Sequence, residues 1–320
     1  MFDHYFFTKK YIKSKININY QEIKQLNINL QYQFYSGIDY DISFFNNLEY
    51  LSISLNSDIK YINKESIKVI LSENQYNNIK TLKINESLAI YYTIKYIIFE
   101  PPKNFVNLNE LYIKEILLNK IKFNPINLKK LNIIYDCRDK VYTIEYIQES
   151  INNILEHYLS LTYLNISFYY MQYDLDSFTF EYFIKEMTNF LFISIQIIEN
   201  ITFNFYELYD NTKFSCYDEK SRCIIKKIKN KKSKYKIKGN VIPYNIFESH
   251  LDKIEEIDLS FNDWKKKCSL YIEEKSSISA ITKIRIKYGN DNTLNFPIKS
   301  FISLNALQLR NRYHFINLLS

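Results

Sequence analysis

The stretch Leu48–Asn56 reads LEYLSISLN, and its pattern of apolar residues recurs along the chain. Leu48, Leu51 and Ile53 form a phrase: an apolar residue, two variable residues, an apolar residue, one variable residue and a third apolar residue. From Leu51 onward apolar and polar residues alternate, and a period of two is typical of a strand with one buried face. The stretch is predicted to be a short strand with Leu51 and Ile53 inward and Tyr50 and Ser52 outward.

The same phrase recurs along the chain. Clean copies begin at Ile23, Leu48, Ile79, Leu108, Leu128, Leu161, Ile254, Ile281 and Leu304, and a looser copy begins at Phe192. Successive starts lie 25, 31, 29, 20, 33, 31, 62, 27 and 23 residues apart, and because 62 is twice 31 we expect a disguised copy near residue 223. Four copies directly follow an asparagine, namely Asn47, Asn78, Asn107 and Asn127. Repetition at such intervals indicates units that pack on their neighbours.

The phrase resembles the L-x-x-L-x-L-x-x-N/C core of the leucine-rich repeat, over about residues 23–309. The copies at Leu48 and Ile254 place Asn56 and Asn262 at the family's ladder position, which most other copies lack. Segments with helical spacing lie between phrases, for example Ile144–Leu159 and Ile62–Leu71. The resemblance implies an α/β solenoid with a curved parallel sheet on its concave face and helices or irregular segments on its convex face. We expect a cap over residues 1–22 and one solenoid over 23–320, with a basic insertion at about 211–240.

Composition adds few constraints on function. A hydrophobic fraction of 47% in 320 residues is enough to bury a core, so the chain is predicted to be globular. Only 3 glycines and 5 prolines are present, so the turns must be built from other residues. The net charge of +7 arises with 35 acidic residues present, and it indicates no particular partner. The N-terminal stretch lacks the apolar core of a secretory signal and no window could span a bilayer. We therefore expect an intracellular protein, cytoplasmic or nuclear, without membrane insertion.

The usual signatures of catalysis are missing from the sequence. Gly37, Gly239 and Gly289 stand alone, whereas phosphate-binding loops need several clustered glycines. The histidines fall in no H-E-x-x-H motif, and the cysteines lack zinc-ligand spacing. We predict no catalytic, cofactor or metal site and a protein that is not an enzyme.

The outward positions of the predicted strands form the candidate partner-binding face. They mix aromatic and hydrogen-bonding side chains, which suits protein contacts: Tyr50, Ser52, Lys83, Asn85, Tyr112, Lys114, Lys130, Asn132, Tyr163 and Asn165. We expect the face to be exposed. Further along the chain, Glu256 and Asp258 are expected beside Lys283, Arg285 and Lys287 on the next strand.

A basic segment, Lys226–Lys238, reads KKIKNKKSKYKIK. It supplies the candidate basic patch Lys226, Lys227, Lys229, Lys231, Lys232 and Lys234. A loop or flexible insertion is one interpretation, and a nuclear-import or acidic-partner patch is another. Because isoleucines interleave the lysines, a basic edge strand or helix is a third.

The leading functional hypothesis is a protein-interaction scaffold that binds an unidentified protein, since members of the resembled family commonly serve as recognition scaffolds. The alternative is nucleic-acid binding through residues 226–238 and exposed tyrosines, because basic charge interleaved with aromatics can hold phosphates and stack bases.

Overall fold

The computed structural model describes residues 20–31, 39–56, 67–86, 97–119, 121–136, 143–171, 198–208, 217–228, 234–239, 254–260, 283–288, 306–311 and 315–319. Over these residues the chain is a mixed α/β protein with mostly parallel strands and few helices. It divides into two compact units, Met1–Tyr142 with Asn153–Gln172 and Glu207–Asp218, and Thr143–Asn152 with Tyr173–Tyr206 and Glu219–Ser320. The expected cap is described only at Tyr20–Glu22, a 3-10 turn. The division into cap and single solenoid stays a prediction.

The strands of the first unit form two sheets. They are β1 (Gln25–Gln31), β2 (Asp39–Asp41), β3 (Tyr50–Asn56), β4 (Ile67–Ile70), β5 (Thr81–Glu86), β6 (Ile97–Glu100), β7 (Glu110–Lys114), β8 (Lys130–Asp136) and β9 (Tyr163–Met171). The main sheet has the order β1-β3-β5-β7-β8-β9, and the second sheet has the order β2-β4-β6. All neighbouring pairs in both are parallel. The predicted parallel sheet is confirmed.

The repeated phrases lie in register across the main sheet. The middle residue of each phrase pairs with its counterpart in the next, in the row Leu26, Leu51, Leu82, Leu111, Leu131 and Leu164. These side chains are buried, and so are the isoleucines two residues later. A slip of one residue would turn every one of them outward, so burial of this face fixes the register.

The second sheet overturns one prediction. Ile62–Leu71 was expected to be helical, but its described part contains β4, which pairs with β2 and β6. β-branched Ile67, Val69 and Ile70 favour a strand over a helix. Each second-sheet strand falls within a spacing of 25, 31 or 29 residues. The spacing of 20 between Leu108 and Leu128 contains a short helix instead, so the second sheet ends at β6.

The helices are α1 (Glu73–Asn78), α2 (Glu115–Leu118) and α3 (Ile144–His157), and Pro125–Asn127 forms a 3-10 turn. Ser72 and Gln75 form a capping box at α1, and the buried Gln75 side chain also donates to the carbonyls of Ile42 and Phe45. α3 confirms the helix predicted from Ile144–Leu159, with Ile147, Ile151, Ile154 and Leu155 buried.

The asparagine before each of four phrases joins it to the preceding repeat. Each side-chain Nδ2 donates to a backbone carbonyl, and the pairs are Asn47 with Gln21 (2.7 Å), Asn78 with Asn46 (3.1 Å), Asn107 with Asn77 (2.8 Å) and Asn127 with Val106 (2.8 Å). We name these four residues the asparagine column. The predicted ladder positions stay a prediction, because the side chain of Asn56 and all of Asn262 lie outside what the structure describes.

A backbone column runs beside the asparagine column. The carbonyl of Lys24 accepts the N–H groups of Glu49 (2.8 Å) and Tyr50 (3.0 Å). Each of four further carbonyls likewise accepts two N–H groups from the next repeat, and these are the carbonyls of Glu49, Lys80, Asn109 and Lys129. Side chains strengthen the column, since the Lys80 ammonium lies 2.8 Å from the Glu49 carboxylate. The Lys80 hydrogen bond and charge hold the pKa of Glu49 below its ordinary value.

The remaining strands belong to the second unit, except that the residues of β10 and β11 within Glu207–Asp218 belong to the first. They are β10 (Asn200–Leu208), β11 (Tyr217–Lys227), β12 (Tyr235–Gly239), β13 (Ile254–Ser260), β14 (Lys283–Tyr288), β15 (Ala306–Asn311) and β16 (Phe315–Leu319). Strands adjacent in sequence are adjacent in the sheet. The pairs β12/β13, β13/β14 and β14/β15 are parallel, whereas β11/β12 and β15/β16 are antiparallel. The backbone register predicted for the charged pairs is confirmed: Glu256 lies opposite Lys283, and Asp258 opposite Arg285.

Of the three interpretations of the basic segment, a strand fits the part that the structure describes. Residues 217–227 and 235–239 are paired strands within the sheet order, neither a loop nor an edge. Ile225 lies opposite Ile237 and both are buried, which gives the lysine-rich segment an inward face. The copy expected near residue 223 is therefore a strand, but one that pairs antiparallel with β12.

The asparagine column predicts a measurable loss of stability. Replacing Asn78 with alanine removes the donor to the Asn46 carbonyl, so the free energy of unfolding should fall by about 1 kcal/mol. Asn74→Ala is the matched control, because Asn74 is exposed on the same helix and alanine favours helix. Urea unfolding of both variants measures the difference. Equal midpoints for the two would show that the Asn78 hydrogen bond contributes nothing measurable to stability.

Candidate binding surface

The in-register strands arrange their outward residues in rows. The central row contains Asn27, Ser52, Lys83, Tyr112, Asn132 and Asn165. The first row lies two residues nearer the start of each strand and contains Gln25, Tyr50, Thr81, Glu110, Lys130 and Tyr163. Eight predicted face residues thus fall on two adjacent rows. Asn85 lies opposite Ser54, one row further on, and its side chain is outside the described part.

Lys83 lies between two tyrosines on the neighbouring strands. Its Nζ is 4.3 Å from the centre of the Tyr112 ring and 5.3 Å from that of Tyr50. Both distances are within cation–π range, and such contacts contribute about 0.5–1 kcal/mol each at exposed sites. All three side chains are half-buried, so they are restrained while still reachable from solvent.

Lys130 on the first row pairs across the strands with Glu110. Its ammonium forms a short ion pair with that carboxylate, 2.5 Å from Oε1. The Glu110 hydrogen bond is the main reason that the pKa of Lys130 is raised. Lys130 is exposed and Tyr163, opposite it on β9, is half-buried. We call Tyr50, Lys83, Tyr112, Lys130 and Tyr163 the tyrosine–lysine cluster.

Two other members of the central row are less accessible than expected. Ser52 and Asn132 are buried, so they do not belong to an exposed face. Asn165 donates to the Asn132 side-chain oxygen at 2.8 Å, which links β8 to β9. The buried Nδ2 of Asn132 forms no hydrogen bond with any described residue. These residues therefore position the strands beneath the surface that a partner would contact.

Lys114 is the clearest departure from the predicted exposed face. It is only 3% exposed, and its ammonium lies 2.9 Å from Oδ2 of Asp136, which is equally buried. A charge removed from water is costly unless it is paired, so the close contact with Asp136 is what allows Lys114 to be buried. Lys114 is a structural ion-pair partner and is not available to a bound molecule.

Sequence reasoning missed the two carboxylates that pair with these lysines. Glu110 and Asp136 both lie at outward positions of β7 and β8, and the strand register pairs Glu110 directly with Lys130. A search for opposite charges at equivalent phrase positions would have found that pair. Asp136 lies two positions beyond Ile134, the residue opposite Lys114, and only the structure shows the contact.

The candidate basic patch is only partly described. Lys226 and Lys227 are exposed on β11, and Lys234 is half-buried next to β12; Lys229, Lys231 and Lys232 lie outside the described residues. Acidic side chains compensate nearby charge, since Lys236 lies 3.1 Å from Glu256 and 3.5 Å from Asp258. The net positive charge around the described part of the segment is therefore lower than its sequence alone indicates.

Comparison with protein-family models, with curated proteins and with solved structures found no match to this chain. Among the described residues no cluster of His, Cys, Asp or Glu could hold a metal ion. Within the same residues no helix is long and apolar enough to cross a membrane.

The two lysine–carboxylate pairs should differ sharply in their contribution to stability. Lys114→Ala leaves Asp136 buried without its cation and should lower the free energy of unfolding by about 3–5 kcal/mol. Lys130→Ala breaks an exposed pair and should cost at most about 1 kcal/mol. Combining Lys114→Met with Asp136→Leu should recover much of the loss, because no unpaired charge remains.

Urea unfolding of these three variants provides the measurement. Equal losses for Lys114→Ala and Lys130→Ala would contradict the assignment of Lys114 to a buried pair.

Proposed function

We propose that this chain is a leucine-rich-repeat-like solenoid that acts as a non-catalytic protein-interaction module, and that the tyrosine–lysine cluster contacts its protein partner. The observation that carries the proposal is the placement of Tyr50, Lys83 and Tyr112 together on neighbouring strands by the repeat register. Residues about 30 apart in sequence thus form one surface.

The repeat geometry supports the solenoid. From β1 to β9 each phrase is joined to the next by the same backbone column and the same inward leucine row. A repeat that contacts mainly its neighbours produces a broad, continuous outward surface, which is the feature that repeat proteins use in recognition.

The side chains of the cluster favour a protein partner. Tyrosine provides a large contact area together with a hydroxyl, and it is enriched among residues that dominate binding energy. Lys83 is restrained by two rings, so less entropy is lost when it meets a carboxylate or carbonyl. The pairing of Lys130 with Glu110 reduces the positive charge that a phosphate backbone would require.

Substitution within the cluster tests the proposal. The double variant Lys83→Glu with Tyr112→Ala should lose a protein that the unchanged chain retains in pull-downs from its native cells, with at least about a tenfold drop in recovery. Lys68→Glu is the control, since Lys68 lies on β4 of the second sheet and changes charge equally. Binding of the recovered protein is then measured with purified components, after circular dichroism confirms that each variant is folded.

The outcomes separate the two hypotheses for function. Equal recovery by the cluster variant and the control would contradict a role for the cluster. Recovery of nucleic acid alone, with binding that weakens steeply with salt and is lost in the Lys226→Glu, Lys227→Glu variant, would replace the proposal with nucleic-acid binding.

A further inference from the structure

The second sheet ends abruptly at β6. Its order is β2-β4-β6, and within the described residues no strand pairs with the far side of β6. The next repeat is too short to supply one, and it approaches through a single bridge between Phe105 and Phe123. β6 is therefore an edge strand whose backbone has donors and acceptors to offer.

Hydrogen bonds to β4 show which backbone groups point to the open side. The Leu71 N–H donates to the Glu100 carbonyl at 2.8 Å, so Glu100 and Ile98 direct their backbone groups toward β4. Alternation in a parallel pair then directs those of Ile97 and Phe99 away from it. No described residue forms a hydrogen bond with the N–H or C=O of Phe99.

A largely apolar groove lies beside this edge. It has a volume of about 260 Å³, and its lining includes Ile98, Phe99, Pro102, Phe105, Ile121 and Lys122. Ile98 is 38% exposed, which is high for a large apolar side chain next to a cavity. The groove can therefore accept a small apolar side chain from a strand placed along β6.

The rim of the groove carries positive charge. Lys122 is exposed and forms no ion pair or side-chain hydrogen bond with the described residues, whereas Lys103 pairs with Glu73 at the surface (2.8 Å). The Glu100 carboxylate is occupied by Lys68 at 3.1 Å. An acidic side chain would complement the charge of Lys122.

We propose that the open edge of β6 binds an extended acidic peptide segment of a partner protein, which adds a strand to the second sheet. The peptide backbone pairs with Ile97 and Phe99, an apolar side chain enters the groove, and a carboxylate meets Lys122. This mode of recognition takes affinity from main-chain hydrogen bonds and specificity from alternate side chains. The surface is distinct from the tyrosine–lysine cluster.

A synthetic probe tests strand addition directly. The probe is the fluorescein-labelled peptide Ser-Glu-Val-Thr-Val-Glu-Ser, titrated with the full chain by fluorescence anisotropy. Methylating alternate backbone nitrogens of the probe removes its hydrogen-bond donors, and this should weaken binding at least about tenfold if pairing with β6 is required. Equal binding of the methylated probe would overturn the proposal.

Charge exchange and a matched apolar pair locate the site. Lys122→Glu should weaken binding of the acidic probe about tenfold, and a probe with lysines in place of both glutamates should bind the variant better than the unchanged chain. Ile98→Glu should abolish binding, whereas Ile116→Glu should not, because Ile116 is equally exposed but lies on α2 outside the groove lining.

Two further outcomes decide against the proposal. Self-association of the chain that is lost in Ile98→Glu, without probe binding, would assign the edge to a second copy. Loss of probe binding in the Lys83→Glu, Tyr112→Ala variant would place the peptide on the main sheet instead. Retained binding in that variant supports the β6 site whatever the fate of the proposed cluster function.

Discussion

The structure of the first unit depends on one repeated interaction, the backbone carbonyl that accepts two N–H groups from the following repeat. It recurs at Lys24, Glu49, Lys80, Asn109 and Lys129, at the point where each strand of the main sheet begins. Because it fixes where a strand starts, it fixes which residues face the core and which form rows on the outside. The asparagine column fixes the same point, because each asparagine holds the turn before its strand to the preceding repeat. A chain with few glycines therefore still begins each strand at a defined residue. The tyrosine–lysine cluster is a consequence of this alignment.

Between β1 and β7, repeat length also affects what accompanies the main sheet. Spacings of 25, 31 and 29 residues leave room for a strand of the second sheet, whereas the spacing of 20 does not. Within the part of the chain that the structure describes, the second sheet therefore stops where a short repeat begins, and no strand pairs with the far side of β6. The irregular length of the repeats weakens the resemblance to a regular leucine-rich repeat. The same irregularity leaves the groove beside β6.

Much of the fold could be predicted from sequence, because a period of two in Leu51 and Ile53 depends only on which residues are apolar. The main-sheet strands that carry the repeated phrase and their outward rows follow from that period, whereas the second sheet does not. Burial on the outward face of the strands could not be predicted in the same way. The period of two shows that the Lys114 side chain points outward, but it does not show which side chains surround it. The segment around Val69 was misassigned because a short apolar run fits helix and strand alike. For the lysine-rich strands β11 and β12 the sequence left a loop, a basic patch and a strand open, because the pattern of charges does not single out the inward pair Ile225 and Ile237.

The two proposed surfaces differ in how they depend on the repeat. The tyrosine–lysine cluster needs side chains from five successive repeats, so it exists only while β3, β5, β7, β8 and β9 keep their register. The β6 edge needs only one strand with an unpaired side and the short repeat that follows it. Binding through the cluster should therefore weaken when the stacking of the repeats is loosened. Asn78 lies between Tyr50 and Lys83 in the chain, and it holds the repeat containing Lys83 to the one containing Tyr50 through the Asn46 carbonyl. Loss of Asn78 should therefore affect the cluster. The contacts that stabilise the main sheet are thus the ones on which the proposed recognition depends.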